Sequence, residues 1–343
     1  MIALIVEKII FTCFSLFYGF VVSLAIIFFH AITCFRFIRN KDYSKRPTIL
    51  DDPKWGKHNS MKVNNKVIHY VAKGNPDDPI IVFLHGFPDF WYSWHQQLIH
   101  FASKGYYTVA IDLPGYGESS KLLETGQRRV DLVCDDLVKV IQSITTKSPN
   151  HQKIVLVGHD WGAAVSFYIA YNYPNLIEKL IILNGPHPKH FQKLLKTSLK
   201  QFTSSWYMFF FGLPCLPEYA FKSFDFYSLK MCFVNGNKSP IMSADDLIPW
   251  KYIYSQQGAI TSALGYYRDN IGNAKRSQAD FRIKVPMMCI WGDADFALST
   301  ELATGMAKYV DNLRLRIIEG CSHFVALEAP EKVNSYINEF LNE

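Results

Sequence analysis

The sequence predicts an α/β fold: a mostly parallel sheet flanked by helices, covered by a helical lid and preceded by one long apolar helix. Three observations carry this. Short continuous apolar runs recur with helical stretches between them, the pattern of parallel strands buried on both faces. One of these runs, Ile154-Val155-Leu156-Val157, leads through Gly158-His159-Asp160-Trp161-Gly162-Ala163 straight into a helical stretch. The alternation then breaks over residues 185–276, which are rich in aromatics, Pro and Gly.

Taken in chain order, residues 9–29 come first. They carry no charge and are long enough to cross a hydrocarbon layer of about 30 Å as a helix. A signal-peptide core is shorter and needs a small-residue cleavage site, which His30-Ala31-Ile32-Thr33-Cys34-Phe35 does not offer. The expectation is a retained single-pass anchor. Upstream lie Lys8 and the terminal amine, offset by Glu7; downstream lie Arg36, Arg39, Lys41, Lys45 and Arg46. The positive-inside rule puts that flank and the following domain in the cytosol, with the endoplasmic reticulum as the expected membrane. The sequon Asn237-Lys238-Ser239 is followed by Pro240 and argues little for a lumenal domain.

Residues 40–60 are polar and proline-bearing and read as a linker. Strands are expected at 67–71, 80–84, 107–111, 154–157, 180–183, 287–291 and 313–318. The resulting division is 1–46 anchor and flank, 47–184 first part of the core, 185–276 lid, and 277–343 second part of the core. An insertion just after the half that carries the sharp turn is placed to cover it. Within the lid, residues 206–213 are strongly apolar but too few to span a bilayer.

Composition bounds the function classes. At 343 residues and 49% hydrophobic, the chain can bury a large core. The net charge of +6 comes without a basic stripe, so nucleic acid is not an expected partner. Seven cysteines without regular spacing give neither a disulfide framework nor a zinc pattern. No metal and no organic cofactor is implied, and the oligomeric state is left open.

The turn around Asp160 has small residues two before and two after the central one. That is the nucleophile-elbow arrangement, a strained strand-to-helix turn that presents one side chain to a site. Serine is the usual occupant; here it is aspartate. A carboxylate that attacks saturated carbon forms an ester, which water cleaves, whereas serine would form an inert ether. The position points to displacement at sp³ carbon. Chain order then asks for an acid and a histidine downstream. His323, in Gly320-Cys321-Ser322-His323-Phe324 past the last strand, is the histidine. Trp291-Gly292-Asp293-Ala294-Asp295-Phe296 offers the acid: Asp295 is favoured, and Asp293 is the alternative, read as a loop cap. Cleavage of an aspartyl ester also needs backbone N–H groups facing an oxyanion. Trp161 follows the nucleophile, and Phe87 in His85-Gly86-Phe87-Pro88 is the other donor, since Pro88 has no N–H. Asp112 is read as holding a loop, not as catalytic.

Together with Asp112-Leu113-Pro114-Gly115-Tyr116-Gly117-Glu118-Ser119, these motifs resemble the α/β-hydrolase-fold epoxide hydrolases over roughly residues 50–343. The N-terminal anchor makes the chain most similar to the membrane-anchored epoxide hydrolase 3 and 4 group. The resemblance implies an α/β-hydrolase fold and two lid tyrosines that donate hydrogen bonds to the epoxide oxygen. By local pattern these are Tyr207, in Trp206-Tyr207-Met208, and Tyr267, in Tyr266-Tyr267-Arg268, with Tyr266 as the register alternative. Gly212 stands where many relatives would have glutamine. The implied substrates are lipophilic epoxides, fatty-acid epoxides first among them. Two alternatives stay open: a haloalkane-type dehalogenase, which uses aspartate at the same elbow, and a non-catalytic lipid-binding member of the fold.

Overall fold

The computed structural model describes residues 2–32, 41–146, 153–271 and 281–343. Arg36 and Arg39 of the cationic flank, and the lid boundary at 276, lie outside these residues. Eight strands form one sheet: β1 (Lys57–Val63), β2 (Lys66–Lys73), β3 (Ile80–Leu84), β4 (Tyr107–Ile111), β5 (Ile154–His159), β6 (Ile177–Leu183), β7 (Met287–Gly292) and β8 (Leu313–Ile318). Their order is β1-β2-β4-β3-β5-β6-β7-β8. The pairs β1–β2 and β2–β4 are antiparallel, and all others are parallel.

The seven expected strands are present, with β2, β5 and β6 two or three residues longer than expected and β7 one residue longer. β1 is a correction: the polar run Lys57–Val63 belongs to the sheet, not to a linker. It is an edge strand with one partner, so it needs no apolar face to hold its place. The central strands β3, β5 and β7 are buried throughout, as parallel strands under helices on both faces must be.

The helices are α1 (Ile2–Ile32), α2 (His95–Ala102), α3 (Val130–Thr145), α4 (Trp161–Asn172), α5 (Pro188–Thr197), α6 (Leu199–Ser204), α7 (Trp206–Phe211), α8 (Leu216–Cys232), α9 (Ile248–Ser255), α10 (Ala259–Asn270), α11 (Thr300–Thr304), α12 (Val325–Glu328) and α13 (Pro330–Leu341). α5 to α10 fall between β6 and β7 and form the covering layer, whose one β-feature among the described residues is a bridge between Val234 and Pro240. α8 is broken at Ser223–Phe226, where Phe224, Asp225 and Phe226 take positive φ.

The covering layer is tied to the core by polar contacts at fixed points. Arg128, on the loop before α3, donates from Nε to Asp269 Oδ2 at 2.8 Å, and both side chains are almost fully buried. Ser262 Oγ accepts from Leu122 N, and Tyr266 Oη donates to the Pro114 carbonyl at 2.7 Å. Gln201 binds the Ala297 carbonyl and the Ser299 N–H beyond β7. Arg268 on α10 reaches the Phe211 and Leu213 carbonyls and Glu218. That one guanidinium fixes α7, α8 and α10 relative to one another.

Candidate active site

β5 ends at His159 and α4 begins at Trp161, so Asp160 alone makes the turn, with φ 50° and ψ −116°. A non-glycine residue at positive φ carries strain of the order of 1–3 kcal/mol, sustained here by the packing around it. The spacing of small residues now has its reason. A Cβ on Gly162 would collide with the Leu84 and His85 carbonyl oxygens, so α4 can start this close to β3 only with glycine there. The turn lifts the Asp160 carboxylate above the carboxyl end of the sheet.

Asp160 Oδ1 accepts from the Phe87 N–H at 2.8 Å, and the Trp161 N–H also bonds the carboxylate. Asp160 Oδ2 faces His323 Nε2 at 3.7 Å, too long for a direct hydrogen bond. His323 Nδ1 lies 2.7 Å from Asp295 Oδ2. Asp295 is a full acceptor: Oδ2 also takes Asn184 Nδ2 at 2.7 Å, and Oδ1 takes the Ala297 and Leu298 N–H groups at 2.8 and 2.9 Å. Four donors around one carboxylate leave it nothing to do but accept, which sets the proton on His323 Nδ1. Asp293 instead accepts from Gly320 N and holds the neighbouring loop.

The two tyrosines come together from different helices. Tyr207 on α7 and Tyr267 on α10 have ring centroids 5.9 Å apart, and Tyr267 stands edge-on to Trp161 at 5.1 Å and to Phe87 at 5.6 Å. Tyr266 points the other way, its hydroxyl taken up by Pro114. Burial, and then the nearby Asp160 carboxylate, hold the Tyr207 and Tyr267 hydroxyls well above the usual phenol range. They stay protonated donors at neutral pH.

Electrostatics couple the groups. Burial disfavours charge on His323, but Asp295, Asp160 and Asp89 outweigh it and push the imidazole up to about 9. Burial raises the Asp160 carboxyl, against the opposing pull of His323 and the two N–H groups.

Three residues that the sequence reading passed over belong to this network. Asn184 directly follows β6 and joins the acid to β7, since its Oδ1 accepts from Gly292 N. His159 and Asp89 sit beneath His323. The His159 Nε2 must carry the proton, because it donates to the His323 carbonyl at 3.0 Å. Its Nδ1 lies 3.8 Å from Asp89 Oδ2, and both residues border a cavity of about 10 Å³, room for one water. Asp89 accepts from Trp250 Nε1 at 3.1 Å, yet burial pushes its carboxyl up to about 7. The signal was in reach: Asp89 directly follows the His85-Gly86-Phe87-Pro88 run, and a carboxylate beside an expected oxyanion site carries charge into it.

Asp112 accepts from Trp91 N, Glu118 N and His69 Nδ1, and so ties the segments around Trp91 and Glu118 to β2. Outside the site, one ligand atom each of His58, His69 and Glu118 lies within 4.8 Å of the others; Arg46 already pairs with Glu118 there.

The chain matches the family model described as alpha/beta hydrolase fold over residues 79–330. It is 37% identical over 334 residues to epoxide hydrolase 1 of Caenorhabditis elegans, covering 95% of this chain and 80% of that one. It is 36% identical over 306 residues to epoxide hydrolase 4 of Mus musculus, covering 87% of this chain and 83% of that one. Among solved structures it is similar to an epoxide hydrolase from Bacillus megaterium, complexed with its product (R)-3-[1]naphthyloxy-propane-1,2-diol. The TM-score is 0.74 at 30% identity, over 83% of this chain and all of that one. Elbow, sheet order and relatives agree: the chain belongs to the α/β-hydrolase-fold epoxide hydrolases and is similar to the epoxide hydrolase 3 and 4 group.

Proposed function

We propose that this epoxide hydrolase opens lipid epoxides to vicinal diols through a covalent aspartyl ester, with the lid at 185–276 closing over the site and α1 holding the enzyme to a membrane. The observation that supports it best is the division of labour on one carboxylate. Asp160 Oδ1 accepts from the Phe87 N–H, the Trp161 N–H also bonds the carboxylate, and Oδ2 lies free of any direct bond to His323. Oδ2 attacks an epoxide carbon. The C–O bond of the ring breaks, Tyr207 and Tyr267 donate to the oxygen as it gains charge, and the alkoxide takes a tyrosine proton that solvent replaces.

Oδ1 is then the ester carbonyl oxygen, already seated in its oxyanion hole. His323, oriented by Asp295, takes a proton from water, and the resulting hydroxide adds to the ester carbon. Collapse of the tetrahedral oxyanion expels the substrate oxygen, which takes the proton of the newly formed carboxyl group, so that the diol leaves and the carboxylate is restored. The charge arithmetic favours this order. Esterification removes the Asp160 charge, one of the three that hold the proton on His323, so the imidazole loses affinity for its proton when it must act as base.

Single turnover in ¹⁸O-water tests the mechanism: label enters Asp160 first and appears in diol only on later turnovers. Label in the first-turnover diol would mean direct water attack and would end the covalent reading. Preference for fatty-acid epoxides rests on the apolar helix and the aromatic lid, and a diol assay over epoxides of graded chain length measures it. Lys41, Lys45 and Arg46 follow α1, which supports a cytosolic catalytic domain at the endoplasmic reticulum; protease accessibility in sealed microsomes decides it.

A further inference from the structure

α1 does not hang free of the enzyme. It lies along the lid, and its lid-facing stripe repeats at helical spacing: Phe11, Ser15, Tyr18, Val22, Ile26, His30. At the N-terminal end Phe11 and Phe14 pack on Phe209 at 5.2 and 5.4 Å, and Tyr18 on Trp206 at 5.8 Å. Two glycines make the approach possible: a Cβ on Gly212 would strike the Phe11 ring, and one on Gly19 would strike Leu213. At the C-terminal end Phe29 meets Phe224 at 5.1 Å, and His30 Nε2 lies 3.2 Å from Tyr219 Oη. The left-handed break in α8 is what turns Phe224 to that contact.

Between these two ends the helix stands off the lid. The space is a groove of about 450 Å³, within the roughly 300–1,000 Å³ of small-molecule sites. Its walls are apolar: Val21, Ala25 and Phe29 from α1, Trp206 from α7, and Ala220 and Tyr227 from α8. Beside it, the outer face of α1 exposes Leu16, Phe20, Leu24, Ile27 and Phe28, each by half or more. A continuous apolar row of that extent belongs in hydrocarbon, so the groove opens into the bilayer.

The groove and the active site are one helix apart. Trp206 lines the groove, and the next residue, Tyr207, faces Tyr267. Ala220 lines the groove, and the next residue, Phe221, packs on Phe87 at 5.7 Å.

We propose that this groove is an acyl-chain site, in which the hydrocarbon tail of an epoxide substrate seats as it passes from the bilayer to the catalytic aspartate. The proposal rests on the lipid-epoxide reading above and adds where the tail binds.

The test uses the full chain in phosphatidylcholine nanodiscs and a long-chain fatty acid with a mid-chain diazirine. On irradiation, label is expected within residues 21–29 and 220–228, and an epoxidised fatty acid of equal length should displace it. Ala25→Trp and Ala220→Trp fill the groove from opposite walls. In each, the ratio of kcat/KM for the long-chain epoxide over that for a short water-soluble one should fall about tenfold, the scale set by lost methylene contacts. Label elsewhere overturns the proposal. Label in the groove that the epoxide does not displace marks a resident lipid and overturns it too. A wild-type enzyme without preference for the long-chain epoxide sinks the lipid-substrate reading itself. A preference that survives both tryptophans sinks only the groove.

Discussion

On the proposed mechanism, Asp295→Asn isolates the second half-reaction. The wild-type carboxylate accepts four hydrogen bonds: His323 Nδ1 and Asn184 Nδ2 at Oδ2, and the Ala297 and Leu298 N–H groups at Oδ1. An amide has one accepting end. If that end keeps the two backbone N–H groups, the new NH₂ points at His323 and at the Asn184 amide. His323 can then meet it only by accepting at Nδ1, which moves its proton to Nε2, the nitrogen that must take one from water. The charge that most favours imidazolium is gone as well, so the imidazole falls from about 9 while burial keeps pulling it down. The alkylation step needs neither change, since Oδ2 of Asp160 and both tyrosines are untouched. Loss of the base function costs on the order of 10²–10⁴-fold. Intact-mass analysis after rapid mixing with an epoxide should show the protein heavier by one substrate, with ester decay slowed by that factor. A variant whose ester decays at the wild-type rate would refute the role given to Asp295, and one that never forms the ester would move Asp295 into the first step.

The tyrosines separate by direction. Tyr207→Phe and Tyr267→Phe should each slow ester formation by about 10²–10³-fold, the loss of one donor to a developing oxyanion, read by the pre-steady-state mass shift. Tyr266→Phe should leave that rate near wild type and cost about 1 kcal/mol of stability for the lost bond to Pro114. Stability should also depend on pH. His323 is raised in the folded enzyme from 6.5 to about 9, so the stabilisation is full below pH 6.5 and is lost as pH rises through 9. The loss is about 3 kcal/mol, measured by denaturant unfolding at the two limits, and His323→Gln should remove that slope. Asp269→Asn breaks the buried pair with Arg128 that seats α10 and should cost about 3–5 kcal/mol by the same measurement.

What was legible in the sequence depended on whether the signal was local. β3 and β4 were placed to the residue because a buried strand is a nearly continuous apolar run, and β8 because Leu313-Arg314-Leu315-Arg316 alternates with the period of a half-exposed strand. β1 was missed for the converse reason: at Lys57–Val63 an edge strand half in water shows no apolar period, and only its pairing with Lys66–Lys73 reveals it. Asp160, Asp295 and His323 were legible because each sits at a strand end in a fixed order. Tyr207 and Tyr267 were named only through a resemblance, and α10 shows why. In its packed middle turn, Tyr266 and Tyr267 are equally buried, and nothing in the order of two tyrosines tells which faces the aspartate. Pro114, 152 positions away, tells it by taking the Tyr266 hydroxyl. Asn184, His159 and Asp89 escaped because their significance lies in distances between segments.

The same long-range contacts explain why a strained elbow works with aspartate. Asp160, Asp295 and Asp89 surround one imidazole in a buried space, a surplus of negative charge that would ordinarily be resolved by protonation. Each acid is handled differently. Asp295 accepts four hydrogen bonds. Asp89, which accepts from the Trp250 indole, is raised by burial to about 7 and can give up its charge near neutrality. Asp160 is raised by burial, with His323 and two backbone N–H groups pulling against that desolvation. A carboxylate with both oxygens taken up by donors, like Asp295, has none left to attack carbon, and one raised like Asp89 would be half protonated at neutral pH. Asp89→Asn separates these effects. It removes a charge that supports His323 and one that opposes Asp160, so ester formation should hold while the pH profile of ester decay moves to lower pH. A profile that does not move would show that Asp89 serves only the packing around Trp250.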